Sequence, residues 1–165
     1  MTALRIVRSS MAATFALSTC FGGPASACTI EEEARAQFPL NTSVLSNADR
    51  LTIAGTVAEA KNWPDVQIQA VVIAGAYIGE RNIDRLKEAR AETVQAYLEQ
   101  LGVKRQNILI DKKTFTDAMV TKGPGNAIHL HQVIVELTPI CEGSCASLCD
   151  DPRVRPHSKA VGQER

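Results

Sequence analysis

The chain has 165 residues, which is enough for one globular domain but not comfortably for two. Hydrophobic residues make up 45% of the chain and charged residues 22%. This is the composition of an ordinary folded protein, so it excludes wholesale disorder and collagen-like order. The 18 basic and 18 acidic side chains balance, so no basic excess marks the chain as a nucleic-acid-binding protein.

The first 27 residues have the three parts of a secretory signal peptide. Arg5 and Arg8 form a short positive region, an apolar stretch follows at 11–21, and Ala25-Ser-Ala27 is a small-residue cleavage site. The apolar stretch is too short to span a bilayer, and no later apolar run reaches spanning length. We therefore predict export to the periplasm or beyond it, with no transmembrane segment in the mature chain.

A lipid anchor is the alternative to release as a free protein. Cys20 and Cys28 each follow a stretch that partly matches a lipid-attachment signal, and Cys28 is the better candidate because small residues precede it. A lipid on Cys28 would hold the mature protein at the outer membrane. The sequence leaves this alternative open.

Cleavage after Ala27 leaves four cysteines, which are Cys28, Cys141, Cys145 and Cys149. Four cysteines in an exported chain predict two disulfides, for which three connectivities exist. We expect Cys28 to bridge to the 141–149 cluster, because such a bridge would tie both ends of the domain together. The alternative is a metal site formed by the cluster and His157, but zinc motifs usually arrange cysteines in separated pairs.

The first half of the mature chain predicts a strand and a helix. A charged segment at 31–37 precedes Phe38–Val44, which we predict as an edge strand because Pro39 is tolerated only at an edge or a bend. Ser46-Asn47 supplies N-caps for a helix, and its apolar side chains follow helical spacing up to Lys61. Trp63-Pro-Asp65 predicts the end of that helix.

The centre of the chain predicts a buried strand followed by the longest helix. Val66–Ala74 begins with alternating and continues with continuous apolar residues, as a central strand does, and Gly75 ends it. Asn82 is the predicted cap of a helix at about Ile83–Leu101, which carries a regular apolar stripe. Gly102 is the residue that follows its C-terminus.

The last part of the chain predicts two more strands and a tail. Asn107–Asp111 is a short strand, and Ile128–Leu137 is a long final strand ended by Pro139. Asp150–Arg165 is polar and charged, so we predict a disordered tail. The predicted order is β-α-β-α-β-β, an α+β fold in a single domain at 28–149.

Four stretches, in this order along the chain, resemble the OmpA-like C-terminal domain family. They are Asn62–Val66, Ile73–Gly75, Asn82–Val94 and Tyr97–Val103. The resemblance covers about Phe38 to Leu137, and the helix match is the most specific part of it. It implies a mixed sheet with helices on one face. It also implies non-covalent binding of peptidoglycan through the diaminopimelate of the stem peptide.

The resemblance implies a ligand site formed by Gly75, Tyr77, Asn82 and Arg90. In the family, an aspartate in a G-H-T-D-x-x-G loop meets the ligand's ammonium group, and a helix arginine meets a carboxylate. Arg90 matches that arginine, but the loop at Gly75–Gly79 is shorter and has no aspartate. We therefore expect weak peptidoglycan binding through Arg90, with contact to another envelope protein as the alternative.

Motifs of the common catalytic and cofactor sites do not occur in the sequence. There is no G-x-S-x-G elbow, no H-E-x-x-H helix and no phosphate-binding loop. We therefore predict a protein that is not an enzyme and that uses no cofactor or metal.

Overall fold

The computed structural model describes residues 28–124, 128–155 and 158–159. The predicted signal peptide lies outside the described residues, as do His157 and the end of the chain from residue 160.

Two helices and four strands form the body of the domain. In chain order they are β2 (Glu32–Ala36), α1 (Asn47–Ala60), β3 (Gln67–Tyr77), α2 (Ile83–Gln100), β4 (Ile108–Phe115) and β7 (Val133–Ile140). Two short antiparallel pairs accompany them. One pair joins β1 (Cys28–Thr29) to β8 (Ser158–Lys159), and the other joins β5 (Thr121–Lys122) to β6 (Ile128–His129).

The four strands form one mixed sheet in the order β2-β7-β3-β4. β3 and β4 are parallel and are joined by α2, whereas β7 is antiparallel to both of its neighbours. This topology confirms the predicted α+β fold with a mixed sheet.

Both helices pack on the same face of this sheet. α1 lies against β2 and β7, and α2 lies against β3 and β4. Along each strand, the residues that face the helices are fully buried and alternate with half-buried residues that face the other way. The fully buried residues are Ala70, Val72 and Ala74 on β3, and Val133, Val135 and Leu137 on β7. On the other face, Val71 and Ile73 are only half-buried. The central strand is therefore covered fully on one face and partly on the other.

The helix ends follow the sequence signals closely. The hydroxyl of Ser46 accepts a hydrogen bond from the Asp49 N–H at 3.1 Å and caps α1. α2 matches its predicted bounds to within one residue. Gly102 adopts φ +90° directly after it, and the Val103 N–H then reaches the Leu98 carbonyl at 3.0 Å. A left-handed glycine with this hydrogen bond is the Schellman motif.

The predicted edge strand at Phe38–Val44 is wrong, because the strand lies earlier, at β2. In β2 the small residues Ala34 and Ala36 point into the core, while Glu33 and Arg35 point outward. Charged side chains are a common feature of edge strands, where they discourage pairing with other chains. The segment that follows β2 is a loop, and Phe38 anchors it in the core.

Three other strand limits differ from the prediction. β3 continues through Gly75 to Tyr77, because Gly75 leaves room for the Phe115 ring and the Lys113 carbonyl beside it. β4 likewise extends to Phe115. The final strand is divided into β6 and β7, and β7 runs through Pro139. β2 pairs only as far as Leu137, so one side of β7 is an edge at Pro139, where a proline is tolerated.

The C-terminal segment is ordered further than the predicted tail allows. Residues Ala146–Asp150 form a 3-10 turn, and Leu148 and Val154 are buried in the core. The four cysteines form two disulfides, Cys28–Cys149 and Cys141–Cys145. The first of these fastens the C-terminal segment to β1, so an apolar side chain such as Val154 can stay packed.

Candidate ligand-binding site at Arg90

Arg90 lies in the second turn of α2, and its side chain points inward against the sheet. The whole side chain is buried, with 0% of its surface exposed to solvent. Its guanidinium carbon lies 5.0 Å from the centre of the Phe38 ring, in a cation–π contact. A fully buried arginine requires a partner for its charge, because an unpaired ion in the protein interior is strongly unfavourable.

Glu80 provides that partner. Its side chain is also 0% exposed, and its two oxygens face the guanidinium in a bidentate pair. Nη2 of Arg90 lies 2.6 Å from one oxygen, and Nη1 lies 2.8 Å from the other. Bidentate arginine–carboxylate pairs are among the strongest hydrogen-bonded contacts in proteins.

The remaining N–H groups of Arg90 donate to backbone carbonyls. Nε donates to Thr42 at 2.8 Å, Nη1 donates to Gly75 at 2.9 Å, and Nη2 makes a longer contact of 3.4 Å with Pro39. A guanidinium has five N–H donors. With the two bonds to Glu80, all five are used within the described residues.

The Glu80 carboxylate accepts two further hydrogen bonds from the backbone. The donors are the N–H of Asn41 at 2.7 Å and the N–H of Tyr77 at 2.8 Å. Burial alone raises the pKa of the Glu80 carboxyl, but the hydrogen bonds from Arg90, Asn41 and Tyr77 outweigh burial and hold the pKa below its ordinary value. Glu80 is therefore a fixed carboxylate rather than a group prepared to exchange a proton.

The loop after β2 closes over the ion pair. Phe38 is held by Gln132, whose side chain accepts from the Phe38 N–H at 2.9 Å and donates to the Phe38 carbonyl at 3.2 Å. Asn41 has φ +59°, and its side-chain oxygen accepts from the Arg81 N–H at 2.7 Å. The loop and the β3–α2 turn are thus tied together above the guanidinium.

The structure brings three of the four predicted site residues together. Arg90, the Gly75 carbonyl and the Tyr77 N–H all converge on the Glu80–Arg90 pair. The Tyr77 hydroxyl donates instead to Asp117, and this hydrogen bond raises the pKa of the phenol. Asn82 does not join them.

Asn82 lies outside the buried pair, at the start of α2. It has φ +51°, its side chain makes no capping hydrogen bond, and its carbonyl accepts from the Leu86 N–H at 2.9 Å. Asn82 lines an open cleft of about 360 Å³ beside the buried pair, together with Asn41, Arg81, Arg85, Leu86 and Ala89.

Glu80 is the residue that the sequence interpretation missed. Glu80 directly follows the Gly75–Gly79 segment, which itself has no acid, and it pairs with Arg90. An acid ten residues before Arg90 was the available signal. It was not informative alone, because exposed acids are common in turns.

We predict that the Glu80–Arg90 pair makes the stability of the domain depend on pH in acid. The Glu80 pKa is lower in the folded state, so its contribution is complete above the unfolded-state value of about 4.3 and is lost as the pH falls through the folded value. One such group changes the free energy of unfolding by up to about 1.4 kcal/mol per pH unit. Denaturant unfolding at a series of acidic pH values measures this slope.

Glu80→Gln is the matched variant for this measurement, because it keeps the shape of the side chain and removes the titration. We expect the acid slope of Glu80→Gln to be smaller than that of wild type. Asp151→Asn serves as the control, since the Asp151 pKa is also lowered by an arginine, Arg153, whose side chain is 62% exposed, so that solvent weakens this pair. Identical slopes in wild type and Glu80→Gln would contradict the prediction.

Comparison with known proteins returns a similarity of structure only. The chain resembles the OmpA-like domain of FopA1 from Francisella tularensis subsp. tularensis SCHU S4, with 20% sequence identity and a TM-score of 0.46. The match covers 69% of this chain and 79% of that domain. No family model matches the sequence, and no curated protein matches it. Among the described residues, neither helix has the length and apolar character needed to cross a membrane.

Proposed function

We propose that the protein is an exported, non-catalytic OmpA-like domain that acts by contact with another protein of the cell envelope. The observation that carries this proposal is the saturation of Arg90. All five of its N–H groups are taken by acceptors of the same chain. The resemblance implies that Arg90 would bind a ligand carboxylate, and here the carboxylate of Glu80 holds its guanidinium.

A stem-peptide carboxylate would have to displace Glu80 before it could reach Arg90. Glu80 is covalently part of the turn and is held by four hydrogen bonds, so its effective concentration at the guanidinium is high. The displaced Glu80 carboxylate would also have to reach water, and the loop after β2, which closes over the ion pair, would have to open for this. Removing one partner from a buried ion pair typically costs about 3–5 kcal/mol, which is comparable to the whole binding free energy of a millimolar ligand, about 4 kcal/mol.

The ammonium group of a stem peptide also lacks a partner at this site. The loop aspartate of the family is missing, and the acid that takes its place in the sequence is already neutralised by Arg90. A zwitterionic amino acid needs both of its charges met when it is desolvated. The occupied guanidinium and the missing partner for an ammonium group therefore both favour the protein-contact function over peptidoglycan binding.

The disulfides support export and release as a free protein. Two disulfides in one small domain suit an oxidising compartment, such as the periplasm or the cell exterior. The sulfur of Cys28 is bonded to Cys149, and a sulfur in a disulfide cannot also carry the thioether of a lipid anchor. We therefore favour the free periplasmic or secreted form over the lipidated one.

We predict that the mature protein stays in the supernatant when it is centrifuged with purified peptidoglycan sacculi. The reason is that Arg90 has no free donor for a stem-peptide carboxylate. An OmpA-like domain with the complete G-H-T-D loop is the positive control and should pellet under the same conditions. Sedimentation of the wild-type chain with sacculi, together with its loss in a folded Arg90→Lys variant, would contradict the proposal and restore the peptidoglycan-binding interpretation.

A further inference from the structure

We infer that the contact surface for the partner is the cleft between the loop after β2 and the start of α2, and that it takes an acidic peptide segment. This inference rests on the proposed function and specifies the chemistry of the partner. The cleft is lined by Asn41, Arg81, Asn82, Arg85, Leu86 and Ala89.

Arg81 and Arg85 are exposed at this cleft and have no ion-pair partner among the described residues. The lysines on the adjoining surface of α2 and β4 differ in this respect. Lys87 pairs with Asp84, Lys112 with Glu88 and Lys113 with Asp111. The two arginines at the cleft are therefore available to an acid from outside.

The backbone at Arg81 is held from both sides. Glu80, which precedes it, is buried against Arg90, and the Arg81 N–H donates to the Asn41 side chain. Asn82, which follows it, accepts the first hydrogen bond of α2 through its carbonyl. The guanidinium is thus carried on a fixed main chain, which lowers the conformational cost of holding a partner's carboxylate.

The lining of the cleft selects for negative charge. No carboxylate lines it, and the two acids of α2 that flank Arg85 in the sequence, Asp84 and Glu88, are paired with Lys87 and Lys112. A zwitterion would find no carboxylate in the cleft lining for its ammonium group, whereas a segment rich in glutamate or aspartate would meet two guanidinium groups that can bind carboxylates bidentately. Leu86 and Ala89 supply an apolar floor for the methylene groups of such side chains.

The experiment is a fluorescence-anisotropy titration of the oxidised mature protein with a labelled peptide of alternating Glu and Ser. We expect the wild type to bind this peptide and to bind it more weakly as the salt concentration rises. We expect it not to bind the Gln-Ser counterpart. The double variant Arg81→Gln, Arg85→Gln should bind roughly tenfold more weakly, which is the scale expected for two exposed charge contacts.

The matched control is the double variant Lys61→Gln, Arg155→Gln. It removes the same two positive charges from exposed positions that do not line the cleft. We expect its affinity for the acidic peptide to equal that of wild type. Equal weakening in both double variants, equal binding of the Gln-Ser peptide, or no binding by wild type would each overturn the inference.

Failure of this inference can be told apart from failure of the proposed function. If the wild type stays soluble with sacculi but its peptide binding does not depend on Arg81 and Arg85, the cleft assignment is wrong and the contact function stands. If the wild type pellets with sacculi and this pelleting depends on Arg90, the contact function itself is wrong.

Discussion

Arg90→Met should lower the free energy of unfolding by about 3–5 kcal/mol, which is the typical cost of removing one partner from a buried ion pair. The substitution keeps most of the volume of the side chain, but it leaves the Glu80 carboxylate buried without a counter-charge. It also removes the donors to the carbonyls of Thr42 and Gly75. Small domains are stable by only about 5–15 kcal/mol, so this would be a large part of the total.

Arg85→Met is the matched control for Arg90→Met, since it is the same substitution on the same helix. Arg85 is exposed and has no ion pair among the described residues, so we expect a change within about 0.5 kcal/mol. Denaturant unfolding of the oxidised proteins, followed by far-ultraviolet circular dichroism, compares the two. Similar stability of the two variants would show that the buried pair does not form in solution.

A double variant tests whether the loss comes from the stranded charge. Glu80→Gln combined with Arg90→Met removes both charges, and we expect it to be more stable than Arg90→Met alone. Recovery should be incomplete, because the carbonyls of Thr42 and Gly75 would still lack a donor. If the double variant is no more stable than Arg90→Met, the stability lost in Arg90→Met comes from altered packing and not from the unpaired charge of Glu80.

The parts of the fold that the sequence predicts are those fixed by local signals. The limits of α2 follow from its apolar stripe and from Gly102. Glycine is the residue that most readily adopts the left-handed conformation that ends a helix, and Gly102 adopts it here. The strand core at Val71–Ala74 follows from its apolar run in the same way. Such signals lie within a few residues of the feature that they specify, and no long-range contact is needed to read them.

The parts that the sequence does not predict depend on residues far apart in the chain. β2 is recognisable only beside β7, because Ala34 and Ala36 become core residues through their pairing with Val135 and Val133. The burial of Arg90 likewise depends on the carbonyls of Thr42 and Pro39, which are 48 and 51 residues away in the chain. An arginine on an amphipathic helix usually lies at the surface, so its sequence neighbourhood alone does not predict an internal ion pair.

The resemblance predicts Arg90 as a ligand-binding residue, and the structure places its guanidinium in a buried pair with Glu80. Arg90, Gly75 and Tyr77 do converge at one place, whereas a role of these residues in ligand binding stays a prediction. Glu80 follows the Gly75–Gly79 segment and folds back to within hydrogen-bond distance of Arg90. This pairing across ten positions of the chain is visible only in three dimensions.

Loss of the Cys28–Cys149 disulfide should have the other large effect on stability. This bridge joins residues 121 positions apart, and the chain-entropy model for a loop of that length gives about 5 kcal/mol. Without it, β1 and the Ala146–Asp150 turn would be held to the domain only by short pairings and a few buried side chains. We expect the double variant Cys28→Ser, Cys149→Ser to show this loss without leaving a free thiol to exchange.

The Cys141–Cys145 disulfide provides the control, because its two cysteines are only four positions apart. The same model gives about 2 kcal/mol for so short a loop. The double variant Cys141→Ser, Cys145→Ser should therefore be clearly more stable than the variant that lacks the Cys28–Cys149 bridge. Unfolding by denaturant in the absence of reductant measures both losses on one scale.

Thiol titration and intact mass of the mature protein then test the pairing itself. Native wild type should contain no reactive thiol, because all four cysteines are used in the two disulfides. Cys28→Ser alone should expose one thiol, that of Cys149, and should lose nearly as much stability as the double variant. A wild-type protein with a lipid-modified Cys28 and a free Cys149, or two double variants of equal stability, would show that the ends of the domain are not joined by this bridge.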